Sequence, residues 1–239
     1  MKIPVIIMAG GKGERLGELT KDIPKPMVEV AGKPYLEHLI MQLIDNGLDE
    51  FIISAGYKAE VIINYIKELN QRLNLNKPIQ VIVEPKRLGS GGGVKYVMVE
   101  ANVDKALVVN GDVFIEGDIS EVVKAHLLTN GQSNDITMGI TLVDNVGQFG
   151  EVFTEGDRVI EIKEKTGREG SGWINAGVYA VNKALLDNED EYFEFWQLIQ
   201  KTLNDKTKKV GYVKFTGKFI DIGTKEKLAK IRLYMQKIS

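Results

Sequence analysis

Four charged residues stand where their type and place could do chemistry: Arg15, Lys25, Asp112 and Asp221. Arg15 belongs to a glycine-rich stretch, Met8-Ala-Gly-Gly-Lys-Gly-Glu-Arg-Leu-Gly17, that directly follows the apolar run Ile3 to Ala9. Lys25 sits between two prolines in Lys21-Asp-Ile-Pro-Lys-Pro26. Gly10, Gly11 and Gly13 let backbone N–H groups face an anion without Cβ atoms in the way, and two fixed cations nearby suit the same ligand. A phosphate cradle is the reading; a plain connector is the alternative that glycines alone leave open. Asp112 ends the apolar run of Lys105-Ala-Leu-Val-Val109 at Asn110-Gly-Asp112, and Asp221 lies in Phe219-Ile-Asp-Ile-Gly223. An Asp at a strand end before a turn is placed to hold Mg²⁺, which takes one or two carboxylates together with phosphate oxygens and water. An ordinary turn Asp reads the same way in isolation.

The elements that must position these groups follow from periodicity. Ile3 to Ala9 predicts a strand buried on both faces. Pro34 opens a helix with Leu36, Leu39, Ile40, Leu43 and Ile44 on one stripe, and Gly47 ends it. Phe51 to Ala55 is a second strand, 59–72 a helix, and Ile79 to Glu84 a third strand. This β-α-β-α-β order predicts a largely parallel sheet with right-handed crossovers and ligands at the carboxyl ends of its strands. Gly89-Ser-Gly-Gly-Gly93 reads as a second glycine-rich loop opening a short helix toward Ala101. A helix capped by Ser120 runs to Leu128, after which Asn134 to Leu142, Phe149 to Thr154, Val159 to Lys163 and Trp173 to Val181 look like strands with few helices between them. Tyr192 to Leu203 suggests a helix, Val210 to Phe215 and Phe219 to Ile222 short strands, and Thr224 caps a last helix to about Lys237. The shift near residue 130 marks two halves, 1–130 and 131–239, of a single domain.

Composition bounds the rest. With 239 residues, 44% of them hydrophobic, the chain can bury one large core, and a formal net charge of −2 gives no global reason to expect nucleic acid or an anionic membrane as partner. Any anion site must be local. The chain has no cysteine, which excludes disulfides, thiolate metal sites and a cysteine nucleophile. No apolar run reaches the ~18 residues of a membrane span and the start lacks a signal-peptide layout, so a cytoplasmic protein is expected. The dinucleotide fingerprint is absent in its standard form because Gly11-Lys-Gly13 is followed by glycine only at position 17, and Gly11-Lys12-Gly13 breaks the P-loop pattern. His38 and His126 are expected to be structural, Trp173 and Trp196 to fill core, and Lys225-Glu-Lys227 to be a solvated helix face.

The loop, the Pro-Lys-Pro turn and the two aspartates together resemble the sugar-1-phosphate nucleotidyltransferases. That family opens with a strand, a G-G-x-G-x-R-L stretch and a P-K-P turn, matched here by Gly10-Gly-Lys-Gly-Glu-Arg-Leu16 and Pro24-Lys-Pro26. Glu84-Pro85 with Leu88-Gly-Ser-Gly-Gly92 looks like its base-binding loop, Val109-Asn-Gly-Asp112 like its metal motif, and Phe149-Gly150 like its Tyr-Gly. Ile162-Lys-Glu-Lys165 resembles its E-K-P segment, Ile174-Asn-Ala-Gly-Val-Tyr179 its sugar-side strand and Phe219-Ile-Asp-Ile-Gly-Thr224 its closing D-I-G-T. Glu14 departs from the family's usual Thr, and Thr166 stands where Pro is usual. The resemblance implies a single-domain, three-layer α/β/α nucleotidyltransferase fold (Rossmann-like, GT-A-like) with a mixed, mostly parallel central sheet and no β-helix domain.

It also implies the reaction, condensation of a nucleoside triphosphate with a sugar 1-phosphate to an NDP-sugar and pyrophosphate in the presence of Mg²⁺. Arg15 and Lys25 are then catalytic; Ala9, Gly10, Gly11, Gly13, Glu84, Gly89 and Gly91 bind nucleotide; Gly150, Glu164, Lys165 and Asn175 bind the sugar phosphate; Asp112 and Asp221 bind metal. Lys163, two positions from Lys165 on the same strand face, competes for its role. Within the family the chain is most like the short heptose 1-phosphate guanylyltransferases, which favours GTP with a D-glycero-D-manno-heptose or mannose 1-phosphate. A UTP-dependent MurNAc or hexose 1-phosphate uridylyltransferase and a CTP:phosphocholine-type cytidylyltransferase stay open as alternatives, as does a homo-oligomeric state.

Overall fold

The first strand is apolar on both faces because a layer of helices covers each. In the computed structural model, which describes residues 3–127, 134–163, 165 and 167–238 (the backbone alone at 238), β1 (Val5–Ala9) is flanked on both edges by parallel strands. On one edge lie β4 (Phe51–Ala55) and then β5 (Gln80–Val83); on the other lies β6 (Lys105–Asn110). Alternation sorts the side chains. Val5, Ile7 and Ala9 point into one core and Ile6 into the other.

The first core is closed by α1 (Tyr35–Asp45), α2 (Ala59–Arg72), α4 (Ser120–Leu127) and α6 (Lys225–Ile238), through stripes such as Leu36, Leu39, Ile40 and Leu43. The second is closed by α3 (Gly89–Glu100) and α5 (Phe195–Asn204), through Val94, Val97, Met98, Phe195, Leu198 and Ile199. Beyond β6 the sheet becomes mixed. β11 (Gly172–Asn182) runs antiparallel to β6 and to β8 (Ile136–Val143), and β12 (Val210–Phe215) runs parallel to β8. β10 (Arg158–Lys163) and β9 (Glu151–Glu155) finish the nine-stranded sheet, in the order β5-β4-β1-β6-β11-β8-β12-β10-β9. The three layers and the mixed sheet are those expected from the sequence.

Two short ribbons were not expected. One pairs β2 (Glu29–Val30) with β3 (Lys33–Pro34). The other, β7 (Val113–Ile115) against β13 (Phe219–Asp221), decides the site. The segment read as a second glycine-rich loop, 89–93, is instead the first turn and a half of α3. Thr224 caps α6 as expected, its hydroxyl accepting the Lys227 N–H at 3.3 Å. Ser120 is not the acceptor at the start of α4: the Asp118 carboxylate takes both the Ser120 N–H and its hydroxyl. The end of the α4 helix at Leu128 lies outside the described residues.

His126 is buried, near Thr137 Oγ1 and Asn182 Oδ1, with its basicity lowered by burial. His38 bonds the Val30 carbonyl. Both are structural. Trp173 packs against the second core, but Trp196 does not fill core: it is 53% exposed, because it falls on the solvent side of the α5 stripe defined by Phe195, Leu198 and Ile199. No helix among the described residues is long and apolar enough to cross a membrane.

Candidate active site

The glycine loop leaves β1 at Ala9 and folds back on the Pro-Lys-Pro turn. Gly13 has φ +68°, and a Cβ there would sit 2.9 Å from Lys25 Cβ, so glycine is required both by conformation and by space. The Thr20 hydroxyl donates to the Gly13 carbonyl at 2.9 Å, and Leu16, fully buried, anchors the 3₁₀ turn Glu14–Thr20 that presents Arg15. Pro24 holds extended backbone and Pro26 enters the 3₁₀ turn Lys25–Met27, so the chain around Lys25 has few conformations to lose. Lys25 is buried, and its ammonium pairs with Asp112. That pairing is how a lysine is tolerated there.

The β7–β13 ribbon brings the two aspartates together. Asp221 lies opposite Val113, and the Ile222 N–H donates to the Asp112 carbonyl at 2.9 Å. Asp221 accepts the Gly223 N–H at 3.0 Å through Oδ1 and pairs through Oδ2 with Lys227. Lys227 therefore does not belong to a solvated face: a helix cap turns it back onto Asp221, and its ammonium lies 5.2 Å over the Phe149 ring. Arg15 reaches the same place, since a Cβ at Gly223 would come within 3.0 Å of its guanidinium. The Asp112 charge also extends into the core. Burial first, and Asp112 second, raise the Tyr35 hydroxyl well above its ordinary value. Tyr179 is pushed up to about 12 by burial, with Asp112 adding to the rise and the Asn175 hydrogen bond opposing it.

Glu84 closes the adjoining end. Cβ atoms at Gly10 and Gly93 would fall 2.9 and 2.7 Å from Glu84 Oε1, so the carboxylate is seated between the first loop and α3. The Ser54 hydroxyl donates to it at 3.0 Å, while burial pushes its pKa up against that bond and one from the Leu88 N–H. The start of α3 offers no cradle for phosphate. The Gly91 and Gly92 N–H groups donate to the Phe193 carbonyl at 2.9 and 3.1 Å, and the Ser90 N–H and hydroxyl donate to Glu194 Oε2 at 3.0 and 2.6 Å. A helix N-terminus binds anions through such N–H groups, and here Phe193 and Glu194 have taken them.

The result is a cavity of about 680 Å³ lined by Gly10, Gly11, Lys12, Gly13, Glu14, Arg15, Lys25, Gly56, Tyr57, Glu84, Lys86, Arg87 and Gly223. A smaller one of about 250 Å³ adjoins it, lined by Met8, Gly10, Gly11, Ser54, Glu84, Arg87, Gly89, Ser90 and Glu194. Lys12, Arg15, Lys25, Lys86 and Arg87 outnumber Glu14 and Glu84 in the larger cavity. A chain of net charge −2 has thus concentrated cations at one spot. Such a cavity attracts a polyanion and stabilises charge that builds on it.

Of the expected nucleotide residues, Gly10, Gly11, Gly13, Glu84 and Gly89 line these cavities with Arg15 and Lys25. Ala9 is buried at the end of β1, and Gly91 lies under the Phe193 ring. Neither lines either of these two cavities. Gly150, Lys165 and Asn175 do not line them either. Gly150 precedes Glu151, which lies opposite Lys163 in the β9–β10 ladder; Lys165 is exposed beyond the end of β10. The Asn175 amide is engaged at both ends, donating to the Tyr179 hydroxyl at 2.6 Å and accepting the Gly177 N–H at 2.9 Å. Glu164 lies outside the described residues. Lys163 is held 4.7 Å over the Phe153 ring and 3.5 Å from Glu161. Glu14, the departure from the family pattern, is 3.8 Å from Lys12 at the cavity wall. Sequence reading missed Lys12, Lys86, Arg87, Glu194 and Lys227; the basic pair after Glu84-Pro85 and the Glu194-x-x-Gln197 helix start were the available signals.

A D-glycero-alpha-D-manno-heptose 1-phosphate guanylyltransferase of Aneurinibacillus thermoaerophilus is 32% identical, covering 97% of each chain. The protein with that description from Campylobacter jejuni subsp. jejuni serotype O:2 is 33% identical over 92% of this chain and 95% of its own. The crystal structure of HddC from Yersinia pseudotuberculosis complexed with GMP-PN superposes with a TM-score of 0.81 at 32% identity, covering 98% of this chain and 99% of that one. The nucleotidyl transferase family model matches residues 4–237, and the chain belongs to that family.

Proposed function

We propose that this protein transfers a guanylyl group from GTP to a sugar 1-phosphate of the D-glycero-D-manno-heptose or mannose type, giving a GDP-sugar and pyrophosphate. The observation that carries the reading is the cation-lined cavity opening onto the Glu84 pocket. A phosphate oxygen of the sugar 1-phosphate attacks the α-phosphorus of GTP; the new P–O bond forms as the bond to pyrophosphate breaks, in line. The attacking monoester, with a second pKa of ~6, is already a dianion at neutral pH, so no side chain has to remove a proton. The barrier is the meeting of two polyanions. Arg15 stabilises the leaving pyrophosphate, and Lys25 reaches the α-phosphate and the incoming phosphate. On the sugar side the roles fall to Gly150, Glu164, Lys165 and Asn175. Lys163 is already engaged with Phe153 and Glu161, which favours Lys165 for the phosphate.

Nucleotidyltransferases of this family generally use a divalent metal. The donor set here fits Mg²⁺: Asp112 and Asp221 are oxygen ligands on adjacent backbones, and no group of three metal-ligating side chains exists among the described residues. Such a pair needs phosphate oxygens and water to complete a magnesium shell. Bound there, the ion would neutralise phosphate charge. Guanine is supported by Glu84, because its N1–H and N2–H₂ donors lie side by side and a carboxylate accepts both. The first half of the chain supplies most of the nucleotide end, with Gly223 and Glu194 of the second half joining it. The cytoplasm, where nucleoside triphosphates are abundant, is the proposed location.

The test is pyrophosphate release with each nucleoside triphosphate against heptose, mannose, glucose and MurNAc 1-phosphates in Mg²⁺. GTP with a manno-configured sugar should give the highest kcat/KM. Glu84→Gln should lower kcat/KM for GTP by roughly 10- to 100-fold, the worth of one paired base contact. Preference for another base sinks the guanylyl assignment, and silence with every pair sinks the reaction.

A further inference from the structure

Lys227 has no role in the reaction as derived above, yet it occupies one of the two carboxylates assigned to the metal. It lies in the first turn of α6, where the positive end of the helix dipole disfavours a cation. Asp221 offsets that placement, and the Phe149 ring, itself in edge contact with Phe219 at 6.2 Å, holds the ammonium from the other side. Lys25 stands in the same relation to Asp112. With Arg15 at Gly223, the cluster holds three cations against two carboxylates. A divalent ion approaching the free protein meets a net positive charge. It also finds Asp221 engaged at both oxygens, by Lys227 and by the Gly223 N–H. A nucleoside triphosphate reverses both conditions, since it brings several negative charges and gives the lysines another partner.

We propose that Lys227 is a positioning residue that occupies Asp221 in the free protein and yields it to the divalent cation only once nucleotide phosphates are bound. The chain accordingly binds nucleotide before metal, and Lys227 sets the metal affinity of the free site. The inference rests on the assignment of Asp112 and Asp221 as metal ligands.

The probe is Mn²⁺, titrated against the full chain and followed by electron paramagnetic resonance, with and without a GTP analogue carrying a methylene bridge between its α- and β-phosphorus atoms. The wild-type chain should bind Mn²⁺ at least ten times more tightly with the analogue than without it. Lys227→Met should bind Mn²⁺ without nucleotide at least ten times more tightly than wild type, whereas Lys227→Arg should behave as wild type. Asp221→Asn should abolish the gain. Equal wild-type affinity with and without the analogue overturns the proposal, as does Lys227→Met binding no more tightly. Should Lys227→Met fail to fold by circular dichroism, Lys227→Gln is read the same way. Mn²⁺ binding involves no guanylyl transfer. A chain inactive with every substrate pair but showing nucleotide-dependent Mn²⁺ binding sinks the proposed reaction alone, and the converse result sinks only the role of Lys227.

Discussion

A buried lysine needs an anion, and Lys25 has Asp112 within the protein and phosphate in the proposed reaction. The two uses are compatible because the turn between Pro24 and Pro26 fixes the backbone while the side chain keeps its reach. Replacing it tests the electrostatic mechanism directly. Lys25→Ala should lower kcat/KM for pyrophosphate release by at least about 10²-fold, as for loss of one preorganised donor, with circular dichroism unchanged. Retained activity would remove Lys25 from the transition state. The type and spacing of Lys25 and Arg15 were legible in the sequence. Lys227 was not, because a Lys-Glu-Lys run at a helix start looks solvated until the fold puts Asp221 beside it.

At the scale of elements, α3 shows why glycine density misleads. Gly89 to Gly93 read as a loop, but only Gly89 of these has positive φ; the other glycines are helical, and they are small because Phe193 packs on Gly91, Glu191 on Gly92 and the Glu84 carboxylate on Gly93. A Cβ at Gly91 would fall 2.2 Å from the Phe193 ring. Alanine gains about 1 kcal/mol of helix propensity over glycine, and overpacking costs about 1–3 kcal/mol. The clash should win, because the Phe193 carbonyl is tied to the Gly91 and Gly92 N–H groups and the ring cannot move away freely. Gly91→Ala is expected to lower the melting temperature and raise KM for GTP severalfold while leaving KM for the sugar phosphate near wild type. An unchanged melting temperature would show that the ring adapts.

At the scale of the molecule, one buried carboxylate ties two helices of the first layer, α1 and α2, together. Glu37 on α1 is almost fully buried and accepts from Arg72 and Tyr65 on α2 and from Lys33. Burial alone would raise its pKa; the hydrogen bonds from Arg72, Lys33 and Tyr65 outweigh that and bring it from 4.5 to about 2. The folded value is the lower one, so the stabilisation is fully present above pH 4.5 and is lost as pH falls through about 2. Glu37→Gln should therefore cost on the order of 2–3 kcal/mol at pH 7, about 5–10 °C in Tm, and the gap from wild type should narrow below pH 4. A gap independent of pH would mean that packing, not the ion pairs, carries the effect.

The sequence by itself determined the strands of the nine-stranded sheet and the helices, the Gly-Gly-Lys-Gly loop, the Pro-Lys-Pro turn and the type of chemistry, because periodicity, glycine and proline act over a few residues. Only the tertiary structure decided what those pieces meet. The three-residue ribbon that sets Asp221 beside Asp112 is too short to leave a pattern, and its partners lie in opposite halves of the chain. The same holds for Phe193 and Glu194, which fill the start of α3 across a long span of sequence and leave the first loop as the proposed phosphate site. Contacts of that kind are fixed by packing of the whole sheet and its two helical layers, which local spacing does not encode.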